Sequence, residues 1–79
     1  MRLLVYGRSY CHLCDEMVAA LRALQGPLAF RLELLDVDSD PDLEARFGER
    51  VPVLVDSQGT EICHYRLDEG ALRERLALK

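Results

Sequence analysis

Two short apolar runs, residues 2–6 and 28–37, are separated by a single stretch of helical periodicity, and that spacing leaves few folds open. The first run, Arg-Leu-Leu-Val-Tyr, reads as a strand buried on both faces and stops at Gly7. From residue 13 to 24 the apolar side chains Leu13, Met17, Ala20, Leu21 and Leu24 recur on one helical face, and Asp15, Glu16 and Arg22 take the other. Gly26-Pro27 then forms a helix stop signal. In the second run Phe30, Leu32 and Leu34 alternate with Arg31 and Glu33, as strand residues do. Strands joined by a helix of this length imply a parallel pair with a right-handed crossover.

The remainder of the chain continues the alternation. Ser39-Asp40-Pro41 supplies a cap and a proline at the first helical position, so a short helix is expected over 42–47, stopped by Gly48. Residues 51–55 read as a third strand, whose Pro52 is tolerated only at a strand start or on an edge. A turn at 56–59 leads to an antiparallel fourth strand over 60–64. Asp68 can cap a last helix with Leu72 and Leu76 facing inward and Ala71 and Leu78 at the margins. Its basic residues Arg73, Arg75 and Lys79 lie toward the C-terminal end, where they complement the helix dipole. The expected order is β-α-β-α-β-β-α in one domain over 1–79, a four-stranded mixed sheet flanked by helices.

Between the first strand and the first helix stands Cys11-His12-Leu13-Cys14. A sulfur at a helix N-terminus faces unpaired N–H groups and the positive end of the macrodipole, both of which favour the thiolate. The second thiol, one turn on, can close a disulfide or release a mixed one. With 79 residues, 49% hydrophobic and 30% charged, the chain is ordinary for a globular domain and too apolar for disorder. A net charge of −4 without a basic stripe argues against nucleic acid. No apolar run approaches the roughly 20 residues that span a bilayer. Three cysteines, an odd number, fit poorly with a secreted disulfide framework, so a reducing cytoplasm is the expected setting.

Cys11-x-x-Cys14 after the first strand, Val51-Pro52 opening the third, and this element order together resemble the thioredoxin fold in its minimal, glutaredoxin-like form. The resemblance covers essentially the whole chain. The stretch Glu49-Arg50-Val51-Pro52-Val53-Leu54 is most similar to glutaredoxin-like proteins of bacteria whose substrates are unassigned. The resemblance implies a monomeric thiol–disulfide oxidoreductase with Cys11 as nucleophile and Cys14 as resolving thiol. It also implies a cis bond before Pro52, and a substrate groove formed by Arg8, Tyr10, His12, Val51, Pro52 and Asp68. No bound cofactor is expected; glutathione or protein thiols and disulfides are the implied partners, with glutathione as co-substrate. Arg8 matches a residue that contacts a glutathione carboxylate in glutaredoxins, and Asp68 matches an acidic residue at the γ-glutamyl end.

The chain departs from glutaredoxins in three places. His12-Leu13 stands where Pro-Tyr is usual, Asp15-Glu16 where basic residues are common, and Cys63-His64-Tyr65-Arg66 where a Gly-Gly signature is found. These changes bear on glutathione specificity more than on the fold. Rival readings are a zinc site from Cys11, Cys14, Cys63 and His64, a bridging iron–sulfur cluster, or a non-catalytic partner-binding module. Consecutive strand residues such as Cys63 and His64 point to opposite faces, which opposes a shared ion. Cys63 alone reads as a core or edge thiol. The carboxylates at 36, 38, 40 and 42 are better explained by a helix start than by a calcium loop.

Overall fold

A computed structural model describes residues 1–77. The elements are β1 (Arg2–Gly7), α1 (His12–Leu28), β2 (Arg31–Asp36), a turn of 3₁₀ helix (Val37–Ser39), α2 (Pro41–Phe47), β3 (Val53–Val55), β4 (Glu61–His64) and α3 (Glu69–Ala77). They form a mixed sheet in the order β2-β1-β3-β4. β1 and β2 run parallel with Leu3 beside Leu32 and Val5 beside Leu34. β3 is antiparallel to β1 and to β4.

Alternation along β1 divides the core. Leu3 and Val5 point to one face, where they pack with Met17 and Leu21 of α1, Phe30, Leu54, and Leu72 of α3. Leu4 and Tyr6 point to the other, against Val37, Phe47 of α2, Val53 and Val55. Tyr6 and Phe47 stack with ring centroids 4.2 Å apart. The central β3 is buried along its whole length, so its Val-Leu-Val is apolar throughout rather than alternating.

Several boundaries differ from those expected. α1 starts at His12 rather than 13 and runs through Gly26-Pro27 to Leu28, so the expected stop at 26–27 does not end it. A proline ring keeps a helical φ and removes one N–H. The carbonyl left without that donor belongs to the exposed Ala23, and water can satisfy it. Termination falls instead to Ala29, in left-handed conformation (φ 54°), whose N–H donates to the Gln25 carbonyl. Leu28 is thus helical, and β2 begins at Arg31 rather than at 28. Its expected alternation fades along the strand: Phe30 is buried, Leu32 partly so, and Leu34 half exposed. β2 is an edge strand, and near Leu34 the first turns of α1 leave a pocket instead of covering it. α2 begins at Pro41 with Asp40 as its cap, β3 opens at Val53 rather than at 51, and β4 at Glu61 rather than at 60. Leu76 packs against the main core as expected, while Leu78 and Lys79 lie outside the described residues.

Candidate functional site: a dithiol at the head of the first helix

β1 ends at Gly7, three residues carry the chain over the sheet's end, and Cys11 takes the N-cap of α1 with extended backbone angles (φ −106°, ψ 106°). Its Sγ accepts a hydrogen bond from the Cys14 N–H at 3.1 Å, and its carbonyl accepts the Asp15 N–H at 3.1 Å. A cap sulfur placed in this way meets one of the orphan donors that every helix start leaves. Cys11 is partly exposed and Cys14 is buried. The two are joined as a disulfide with Cα atoms 5.2 Å apart.

The β1–β3 ladder closes with Tyr6 opposite Val53, so Gly7 and Pro52, next along each strand, lie at the same end of the sheet. The Val51–Pro52 peptide is cis; Pro52 is buried and Val51 is partly so. The Pro52 carbonyl accepts the Tyr65 N–H at 2.9 Å, and the Tyr65 hydroxyl donates to the Glu49 carbonyl at 3.1 Å. Tyr65 therefore braces both ends of the 49–52 loop, from a left-handed conformation (φ 64°) unusual for a bulky residue. Sequence reasoning treated Tyr65 only as a missing glycine. The positive φ explains why glycine would also suit that position.

The remaining expected site residues divide into two groups. Arg8 lies beside the dithiol but is already engaged: its guanidinium pairs with Glu44 of α2 and lies 3.7 Å from Asp38. Together with Gly7, Cys14, Asp15, Leu34 and Asp36 it lines a pocket of about 260 Å³ at the carboxyl ends of β1 and β2. Tyr10 is fully exposed, again in left-handed conformation (φ 57°), and His12 is exposed in the first turn of α1. Asp68 sits immediately before α3, where its Oδ1 accepts the Ala71 N–H and its carbonyl the Leu72 N–H, both at 3.0 Å. It caps α3 and lines a different surface depression with Cys63, His64 and Arg66.

Cys63 packs against the main core, and burial pushes its thiol pKa up. His64 instead faces outward, with Nδ1 2.7 Å from Glu61 Oε2. That bond, joined by the Arg50 guanidinium, holds the Glu61 carboxyl below its ordinary value against partial burial. Among the described residues, no three His, Cys, Asp or Glu side chains converge as metal ligands would. Among the same residues, no helix is long and apolar enough to cross a membrane.

A parallel β-α-β unit, an antiparallel hairpin, helices on both faces and a dithiol at the first helix define a thioredoxin-fold protein. Thioredoxin 1 from Thermosipho africanus shares that fold at 16% identity, with a TM-score of 0.67 over 99% of this chain and 97% of its own. The family model of the glutaredoxin-like domain (DUF836) matches residues 2–77, and the chain belongs to that family. Among solved structures it is similar to protein Ne2328 from Nitrosomonas europaea, at 43% identity and a TM-score of 0.85, covering 94% of this chain and 88% of that one. It is also similar to protein XcR50 from X. campestris, at 38% identity and a TM-score of 0.78, covering 98% and 97%. No curated protein matches the sequence.

Proposed function

We propose that this protein is a thiol–disulfide oxidoreductase in which Cys11 attacks and Cys14 resolves. The observation that carries the reading is the Cys11 sulfur itself: partly exposed, at the N-cap of a 17-residue helix, accepting a backbone N–H. Helix N-termini and amide donors favour an anion there, and the thiolate is the attacking form. Cys14, buried one turn below, suits a thiol that waits for an intermediate.

In the forward direction the Cys11 thiolate attacks a substrate disulfide. A new S–S bond forms on Cys11 Sγ, and the departing substrate sulfur leaves with the bonding pair and takes up a proton. Cys14, having lost its proton, then attacks Cys11 Sγ, closing the intramolecular disulfide and expelling the second substrate sulfur. The substrate gains two electrons and the protein loses two. Two glutathione thiols, or the two thiols of one protein dithiol, restore the dithiol by running both halves backwards. The first donor sulfur attacks Cys11 Sγ and expels Cys14; the second attacks the first donor sulfur and expels Cys11. Both cysteines are reprotonated and the donor leaves as a disulfide, so a reducing compartment belongs to the same proposal. In this reading Val51 and Pro52, just before β3, border the site, and Tyr10 and His12 present exposed surface next to Cys11 that a monomer would offer to its substrate. The pairing of Arg8 with Glu44 and Asp38 favours protein thiols over glutathione as partners, because a ligand carboxylate would have to displace those acids.

Replacement of the two cysteines tests the assignment. Cys14→Ser, challenged with a disulfide substrate, should accumulate a mixed disulfide on Cys11 detectable by mass, and Cys11→Ser should lose exchange altogether. Equal loss in both variants with no trapped adduct would refute these roles.

A further inference from the structure

A methyl carbon added at Gly7 would lie 3.1 Å from Cys14 Sγ and 3.4 Å from Cys14 Cβ. The first distance is tighter than nearly all real contacts of a Cβ, so the sulfur would have to give way by a few tenths of an ångström. Gly7 is the last residue of β1, paired with Asp36 of β2, and has no positive φ that would itself demand glycine. Glycine inside a strand marks a place where something approaches the backbone closely; here it is the buried sulfur. We infer that Gly7 is a positioning residue for the dithiol, its bare Cα letting Cys14 Sγ seat against β1 in the geometry that bonds to Cys11.

The inference rests on the redox reading for its consequence, and it is asymmetric between the two redox states. In the disulfide, Cys14 Sγ is tethered to Cys11 Sγ and cannot rotate away from position 7. In the dithiol the Cys14 side chain is free to adopt another staggered rotamer. A methyl group at position 7 therefore penalises the oxidised form selectively. The step affected is the closing one: the Cys14–Cys11 bond forms, the bond from Cys11 to the substrate sulfur breaks, and that sulfur leaves with the electron pair to be protonated. A disfavoured disulfide makes the protein the stronger oxidant.

The test compares Gly7→Ala with Gly26→Ala, since a methyl group on the exposed Gly26 of α1 would meet nothing within 4 Å. Equilibration with dithiothreitol should show the Gly7→Ala disulfide about tenfold easier to reduce, about 30 mV less negative for this two-electron couple. Gly26→Ala should match the wild type. An unchanged equilibrium for Gly7→Ala, or an equal change in both variants, would overturn the inference.

A second arm separates the steric contact from the redox reading. In a Cys14→Ala background the sulfur is gone and only the 3.4 Å Cβ contact, an ordinary one, remains. Gly7→Ala should then lower the unfolding midpoint of the oxidised wild type but not that of Cys14→Ala. Equal loss in both backgrounds, or failure of both to fold, would assign the glycine to the strand alone; folding only when Cys14 is removed would support the contact. A wild type that never exchanges with thiols would sink the proposed function, while this arm would still decide the contact.

Discussion

Asp68 caps α3 through its carboxylate, and that contact accounts for an acidic residue at this position without any ligand. Asn is as good a cap as Asp, whereas Ala leaves the helix N–H groups unmet. Asp68→Asn should therefore keep the unfolding free energy within a few tenths of a kcal/mol. It should also leave the rate of exchange with a glutathione mixed disulfide unchanged. Asp68→Ala should cost about 1 kcal/mol in chemical denaturation. A loss of exchange in the Asn variant at full stability would show that the charge contacts substrate instead. Residue identities such as these were legible because capping is local: the aspartate, the turn and the first N–H groups lie within a few positions. The engagement of Arg8 was not legible. Its partners, Glu44 and Asp38, stand more than a helix away in sequence and meet it only once α2 folds back across the sheet's end. Gly7 had a signal, a glycine closing an apolar strand just before a cysteine pair, but which atom fills the missing side chain's space is a tertiary fact.

At the level of elements, the hairpin β3–β4 is tied to α3 through one buried carboxylate. Asp56 Oδ1 accepts the Gln58 and Thr60 N–H groups at 2.9 Å, and Oδ2 accepts from Arg75 at 2.5 Å. Burial alone would raise its pKa, but the Thr60, Gln58 and Arg75 donors together prevail and hold it below the ordinary 3.8. A carboxyl depressed by folding stabilises the native state fully above its unfolded pKa, and this contribution disappears as pH falls through the folded value. Asp56→Asn should thus cost about 2 kcal/mol at neutral pH. The gap to wild type should narrow below about pH 4. A gap independent of pH would deny the ionised network. Element types and order followed from periodicity together with cap, proline and turn residues, because a strand or helix must place its apolar residues on one face and must also start and stop. Boundaries followed less well. Pro27 misled because a proline forbids one hydrogen bond rather than a helical φ, and the end of α1 was decided by the left-handed Ala29, a residue with no stop signal of its own.

For the molecule as a whole, the sheet order β2-β1-β3-β4 places β1 and β3 at the centre, and the end of β1, against which Cys14 packs, lies at the same end of the sheet as the start of β3. β1 is buried on both faces, under α1 and α3 on one side and α2 on the other, and Met17 and Leu21 fix α1, which carries Cys11 at its head, to that core. The mixed four-stranded sheet was expected from the element order and from the resemblance carried by Cys11-x-x-Cys14 and Val51-Pro52, whereas the order of the strands across the sheet is a tertiary fact. The exposure of Leu34 was not legible either, because an edge strand's covering depends on where the helix above it begins. The central claim is that the amide N–H at Cys14 and the head of α1 make Cys11 easy to ionise. Its most direct measurement is the titration of Cys11, by thiolate absorbance and alkylation rate against pH, in reduced Cys14→Ser/Cys63→Ser protein, where the position 14 amide remains. The account predicts a midpoint clearly below the free-thiol value of about 8.5; a midpoint at or above it would contradict the account.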